Sequence, residues 1–269
     1  MVVLDLRTGR ADTCRENFEC GKNVYNEKPL GLNPEESRAL LDLAVSLDLR
    51  VGCAPDTFLG GSHQTSRQLL DSGKLGDPLA CTAFMMVPGH ELWHPDPDFY
   101  YLSGGGPMLD MGPYYLTALI NLLGPVARVT GCGKSFRPFR TIGSGPRAGQ
   151  TVAVKTPTHL SGVAEFENGT LLTITMSFDV WNHQHNHIEL YGSQGSMLIP
   201  DPNCFDGDVH FSEGLEGWTR IPNAFPYADD NYRSLGLADL AHAIRKGRAH
   251  RANGQLGLHV LEIMTGFLK

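Results

Sequence analysis

Within its first 54 residues the chain alternates strand, helix and strand, and after that it never returns to this pattern. Val2-Val3-Leu4-Asp5-Leu6 reads as a short buried strand, followed by polar sequence of weak helical character through Cys20. A β-like run covers Asn23–Tyr25. Asn33-Pro34-Glu35-Glu36 then marks a helix start, with Asn at the cap, Pro at the first helical position and Glu three residues after the cap. Leu40, Leu41, Leu43, Ala44 and Leu47 supply its apolar face, and residues 50–54 return as a strand. Strands separated by a helix pair in parallel, so residues 1–54 are expected to form a small α/β layer.

From Pro55 onward the punctuation is that of a different architecture. A helix near His63–Asp71 ends at Gly73, and a strand candidate runs from Pro78 to Val87. A Gly/Pro/aromatic loop spans Pro88–Pro107, and a helix from about Met108 to Leu123 stops at Gly124-Pro125. β runs follow: Val126–Lys134, Gly162–Phe166, Thr170–Phe178, Ile188–Tyr191 and Ser196–Ile199. Asn168-Gly169 joins the second and third as a hairpin. Helices near Leu235–Lys246 and Leu256–Leu268 close the chain. Residues 55–269 are expected to be an α+β domain, an open and mostly antiparallel sheet with helices on one face. The closing helix is free to return to the first layer.

Composition removes several function classes. A formal charge of −7 with no Lys/Arg cluster argues against a nucleic-acid partner. No apolar run approaches the ~18 residues of a membrane span, and the N-terminus lacks the form of a signal peptide. The six cysteines are scattered without a C-x-x-C pair, as expected of reduced thiols in a cytoplasmic protein.

Two segments carry candidate chemistry. Lys28, in Glu27-Lys28-Pro29, precedes a proline that biases it to extended backbone. A Lys at a strand end points into the crevice outside the sheet's carboxyl edge, where it can relay a proton or hold a hydroxyl; the plainer alternative is a surface Lys in a strand–helix loop. The helix after Gly104-Gly105-Gly106 places Asp110, Tyr114, Thr117 and Asn121 on one face and Met111, Tyr115, Leu119 and Leu122 on another. The glycines allow close backbone approach.

Glu27-Lys28-Pro29 together with Gly104-Gly105-Gly106-Pro107-Met108-Leu109-Asp110-Met111-Gly112-Pro113-Tyr114 resembles two signatures of the Gfo/Idh/MocA oxidoreductases, over about residues 21–269. The resemblance implies the remnant of a Rossmann-type parallel sheet over residues 1–54 and a substrate-binding and oligomerisation domain over 55–269. It implies an NAD(P)-dependent oxidation of a ring hydroxyl of a sugar or polyol, with Glu27, Lys28 and Pro29 toward the cofactor. In that family the helix carries Asp-x-x-x-His, the Asp binding a sugar hydroxyl and the His acting as acid/base. Asp110 matches, whereas Tyr114 stands where the His is expected. Tyr114 either handles the proton, with Lys28 lowering its pKa, or only shapes the pocket.

Other candidates are aromatic and imidazole groups. In Pro88-Gly89-His90-Glu91-Leu92-Trp93-His94-Pro95, Trp93 suits the apolar face of a sugar and His94 is the better of two histidines for a hydroxyl. His183, His185 and His187 alternate, so on a strand they would share a face. They would there line substrate, form an interface or hold a transition metal; no metal is assigned. No G-x-G-x-x-G precedes Glu27, so the pyrophosphate-binding part of the family's first half is missing from this sequence and NAD or NADP binding is expected to be weak. The family's Asn/Thr-Pro-x-x-His turn is also unrecognisable in Arg7-Thr8-Gly9-Arg10. The expectation is therefore a sugar dehydrogenase, or an inactive shortened form of one. The alternative is a non-catalytic sugar-binding or regulatory protein. In either case an open sheet face predicts a homodimer or homotetramer.

Overall fold

The computed structural model describes residues 2–3 and 10–269. Of the first expected strand, β1 (Val2–Val3) is described, while Leu4–Leu6 and most of the Arg7–Arg10 segment lie outside the described residues. There follow α1 (Arg10–Glu19), β2 (Val24–Asn26), α2 (Pro34–Ser46) and β3 (Val51–Cys53). The three strands form a parallel sheet in sequence order, with Val2 opposite Tyr25 and Tyr25 opposite Gly52. The helix start is as expected: the Asn33 side chain accepts the backbone N–H groups of Glu35 and Glu36 at 2.8 and 3.2 Å. Leu40, Leu41 and Ala44 pack with Cys14, Phe18, Val24 and Val51. Leu47 does not join that face. The helix ends at Ser46, Leu47 becomes its C-cap, and the side chain is left about half exposed.

The second sheet is built from β4 (Pro78–Met86), β5 (Val126–Lys134), β8 (His159–Phe166), β9 (Leu171–Ser177), β10 (Ile188–Gly192), β11 (Gly195–Ile199), β12 (Val209–Glu213) and β13 (Thr219–Ile221). Its order is β13-β12-β11-β10-β4-β9-β8-β5, and every neighbouring pair except β4–β9 is antiparallel. The Asn168-Gly169 turn joins β8 to β9, with Gly169 at φ +87. A small hairpin of β6 (Phe139–Thr141) and β7 (Thr151–Ala153), absent from the sequence expectation, stands apart from the large sheet.

Helices α3 (Gly61–Asp71), α5 (Gly106–Leu123) and α7 (Gly254–Phe267) pack against the large sheet, whose strands alternate buried and exposed positions. The outer face leaves Val163 and Leu171 about half exposed. Closing helix α7 joins both layers: Leu258 lies in the core under the parallel sheet, and Leu261, Met264 and Phe267 in the core of the large one. The short α4 (Asp98–Tyr101) and α6 (Leu235–Lys246) frame the region between the sheets.

Candidate active site

Lys28 follows the carboxyl end of β2 within a turn that the last strand residue fixes: fully buried Asn26 donates its side-chain amide to the Leu30 carbonyl at 3.0 Å. The Lys28 ammonium then reaches α5, donating to the Asp110 carbonyl (2.6 Å) and to Asp110 Oδ1 (2.9 Å). Both side chains are largely buried, at 15% and 10% exposure, so the pair is not a screened surface contact. This removes the surface-Lys alternative. The backbone of α5 can enter here because Gly106, at φ +86, brings its chain against Pro157. A Cβ at Gly106 would lie 2.8 Å from the Pro157 carbonyl oxygen.

Most of the expected polar stripe of α5 is buried: Asp110, Tyr114 and Thr117 are each less than one-tenth exposed, while Asn121 is half-buried. Met111, Tyr115, Leu119 and Leu122 pack into or against the main core as expected. Lys28 sits over the Tyr114 ring, 5.0 Å from its centroid, and the Arg233 guanidinium lies 5.5 Å from the same centroid. The net shift of the Tyr114 hydroxyl is upward. Burial pushes the Tyr114 hydroxyl up to about 12; Arg233 opposes that rise, while Glu27 and Asp110 add to it.

Beside Tyr114 lies a cavity of ≈ 200 Å³ lined by Glu27, Tyr25, Asp56, Arg233 and their neighbours. Asp56 is buried and accepts the N–H groups of Ser234 and Gly236 at the start of α6. The buried Tyr25 hydroxyl has no hydrogen-bond partner among the described residues. A polar oxygen entering this cavity would satisfy it.

Of the two loop histidines, His90 is the one placed at the site. Its Nε2 lies 3.4 Å from Asp110 Oδ2, and its ring packs against Trp93, Tyr100 and Phe178. His94 instead accepts the Asp96 N–H at 3.1 Å and sets its ring edge-on to Trp93, Phe99 and Tyr100. Trp93 keeps 59% of its surface exposed. The loop that carries His90 turns at Gly89 (φ +115), where a Cβ would strike the Glu91 carboxylate. Glu91 is itself buried, accepting hydrogen bonds from Arg140 (3.0 Å) and the Tyr101 hydroxyl. Arg140, from β6, also pairs with Asp179 and donates to the Phe178 carbonyl. Sequence reasoning missed this network, since no spacing marks an Arg in a three-residue strand as buried.

His183, His185 and His187 do not form a strand; residues 182–187 are irregular and exposed. His183 Nδ1 accepts the His185 N–H, His185 stacks on Phe84 at 4.1 Å, and His187 Nδ1 lies 2.9 Å from the Tyr115 hydroxyl. The three rings thus meet different neighbours, and among the described residues no group of three or more metal-ligating side chains converges.

The small parallel sheet, the large open sheet and the buried Lys28–Asp110 pair are the arrangement that the resemblance to the Gfo/Idh/MocA oxidoreductases leads one to expect. The model of the GFO/IDH/MocA C-terminal domain matches residues 63–198, and the chain belongs to the Gfo/Idh/MocA family. It is 36% identical over 185 residues to a dTDP-3,4-didehydro-2,6-dideoxy-alpha-D-glucose 3-reductase of Streptomyces violaceoruber, a match covering 68% of this chain and 48% of that protein. It is 30% identical over 173 residues to a D-glucoside 3-dehydrogenase of Escherichia coli K12, covering 60% and 46%. The chain thus spans about half the length of these relatives. An NAD binding oxidoreductase from Klebsiella pneumoniae has the same fold, with a TM-score of 0.82 at 17% identity over 99% of this chain and 76% of that one.

Proposed function

We propose that the chain carries the substrate site of an NAD(P)-dependent oxidoreductase that acts on a ring hydroxyl, or the matching ketone, of a sugar or sugar derivative. The observation that carries this reading is the buried Lys28–Asp110 pair at the carboxyl edge of the parallel sheet. The names of both sequence relatives point to position 3 of a glucose-type ring, which makes that position the first to test.

In this proposal Asp110 orients a sugar hydroxyl and Lys28 holds or moves its proton. Lys28 is the stronger candidate for that step, because the Tyr114 hydroxyl is held protonated far above neutrality and suits donation of a hydrogen bond to the sugar oxygen. Trp93 offers an exposed indole face at the rim, with His94 behind it, while His183 and His185 extend the rim from the loop before β10. Glu27, Lys28 and Pro29 face the side where a nicotinamide, the hydride carrier of the family, is expected. The remaining cofactor contacts do not fit: among the described residues no glycine turn opens a helix to cradle a pyrophosphate, and no hydride step is assigned to any residue here. The outward sheet face around Val163 and Leu171 is proposed to pair with a second copy.

A second reading, a sugar-binding protein without turnover, is favoured by the Tyr114 hydroxyl, which is held protonated where the resemblance expects an acid/base histidine. Purified protein incubated with NAD+ or NADP+ and alkyl glucosides tests both. Reduced cofactor with a new ring ketone supports the enzyme, and sugar binding without product supports the second reading. Absence of sugar binding rejects both.

A further inference from the structure

The Asp110 carboxylate is shared between two basic groups. Oδ1 accepts from the Lys28 ammonium at 2.9 Å, and Oδ2 lies 3.4 Å from His90 Nε2. His90 sits on a loop 20 residues before Asp110, yet its side chain is only 15% exposed. Several contacts hold it there. Its carbonyl accepts the His94 N–H at 2.8 Å, and Trp93, Tyr100 and Phe178 enclose its ring. The adjacent Glu91 is locked to fully buried Arg140 and to Tyr101, so the loop is bolted to β6 and to the end of β9. The groups facing the imidazole are therefore Asp110 from α5, Tyr100 from α4 and the Phe178 and Trp93 rings, with Lys28 beyond Asp110. Glu91 is turned away toward Arg140.

We propose that His90 is a positioning residue that sets the charge state of Lys28 through the carboxylate the two share. The proposal rests on Lys28 being the proton-handling group of the sugar site. Imidazole is the side chain whose ordinary titration lies nearest neutrality. While His90 is neutral, the Asp110 charge favours the ammonium form of Lys28. When His90 takes up a proton, the carboxylate is drawn to two cations, its hold on Lys28 weakens, and the two positive charges repel. Groups coupled in this way titrate as a unit.

The coupling is measured on the whole chain, with no need of turnover, by NMR titration of the Lys28 side-chain amine alongside the His90 imidazole. The proposal expects the Lys28 signal to step at the same pH at which the His90 ring titrates. That step should vanish in His90→Gln, which keeps a hydrogen-bonding side chain without the titration. It should shrink in Asp110→Asn, which removes the shared charge and leaves only direct repulsion between the two groups; folding of each variant is checked by its amide spectrum. A Lys28 signal that ignores the His90 titration, or a step that survives in His90→Gln, overturns the proposal. Either result leaves the assignment of the sugar site itself untouched, since that stands on sugar binding.

Discussion

Replacing Arg140 with Met tests whether the buried network, and not the loop's own sequence, holds the site together. Arg140 is 1% exposed and neutralises Glu91 at 4% and Asp179 at 10%. Methionine roughly fills the stem, so the cost is dominated by two buried carboxylates that lose their cation. Breaking a buried pair by removing one partner costs about 3–5 kcal/mol. The Tyr101 hydroxyl still donates to Glu91 and the Thr158 hydroxyl to Asp179, which places the expectation near the lower end, about 3 kcal/mol. With a urea slope of about 3 kcal/mol per molar for a chain of this size, the unfolding midpoint should fall by about 1 M. Adding Glu91→Gln and Asp179→Asn to Arg140→Met removes the stranded charges and should recover much of the loss. A fall of less than about 1 kcal/mol for Arg140→Met alone, the range of exposed pairs, would refute the claim that this network carries the loop.

Tyr114→Phe should blunt alkaline destabilisation. With its folded pKa raised from 10.0 to about 12, the unfolded chain loses that proton first, so the stability this group contributes is present below pH 10 and lost between pH 10 and 12. Urea midpoints of the two proteins should therefore converge or cross over that window, and parallel curves would show that Tyr114 is not held neutral. Where turnover is found, Lys28→Met should lower kcat by roughly 10²–10⁴-fold, and a near-normal kcat would remove Lys28 from the proton step. The purified chain should bind NAD(H) weakly by calorimetry, and micromolar affinity would reveal a nucleotide site outside the expected motif. Elemental analysis should find no stoichiometric metal; one equivalent lost on His185→Ala would restore the metal-site alternative.

Much of the fold was legible because its signals are local. The Asn33 cap, the Asn168-Gly169 hairpin and the alternation along β8 and β9 each follow from neighbouring residues. The Lys28–Asp110 pairing joins residues 82 apart, and only the family resemblance brought those two segments together in advance. Adjacency to Trp93 favours His94 in the sequence, yet it is His90, next to the turn at Gly89, whose ring meets Asp110. The histidine row misled for a related reason. Period 2 places side chains on one face only within a regular strand, and β10 begins just after His187.

The central claim is that the space around Lys28, Asp110 and Tyr114 receives a sugar ring. Saturation-transfer NMR with methyl glucoside, on the wild-type chain and on Lys28→Met and Asp110→Asn, tests it most directly. The account predicts transfer concentrated on the ring protons about position 3 in the wild type, and its loss in both variants while their amide spectra remain folded. Transfer that is absent from the wild type, or equal in all three proteins, would contradict it.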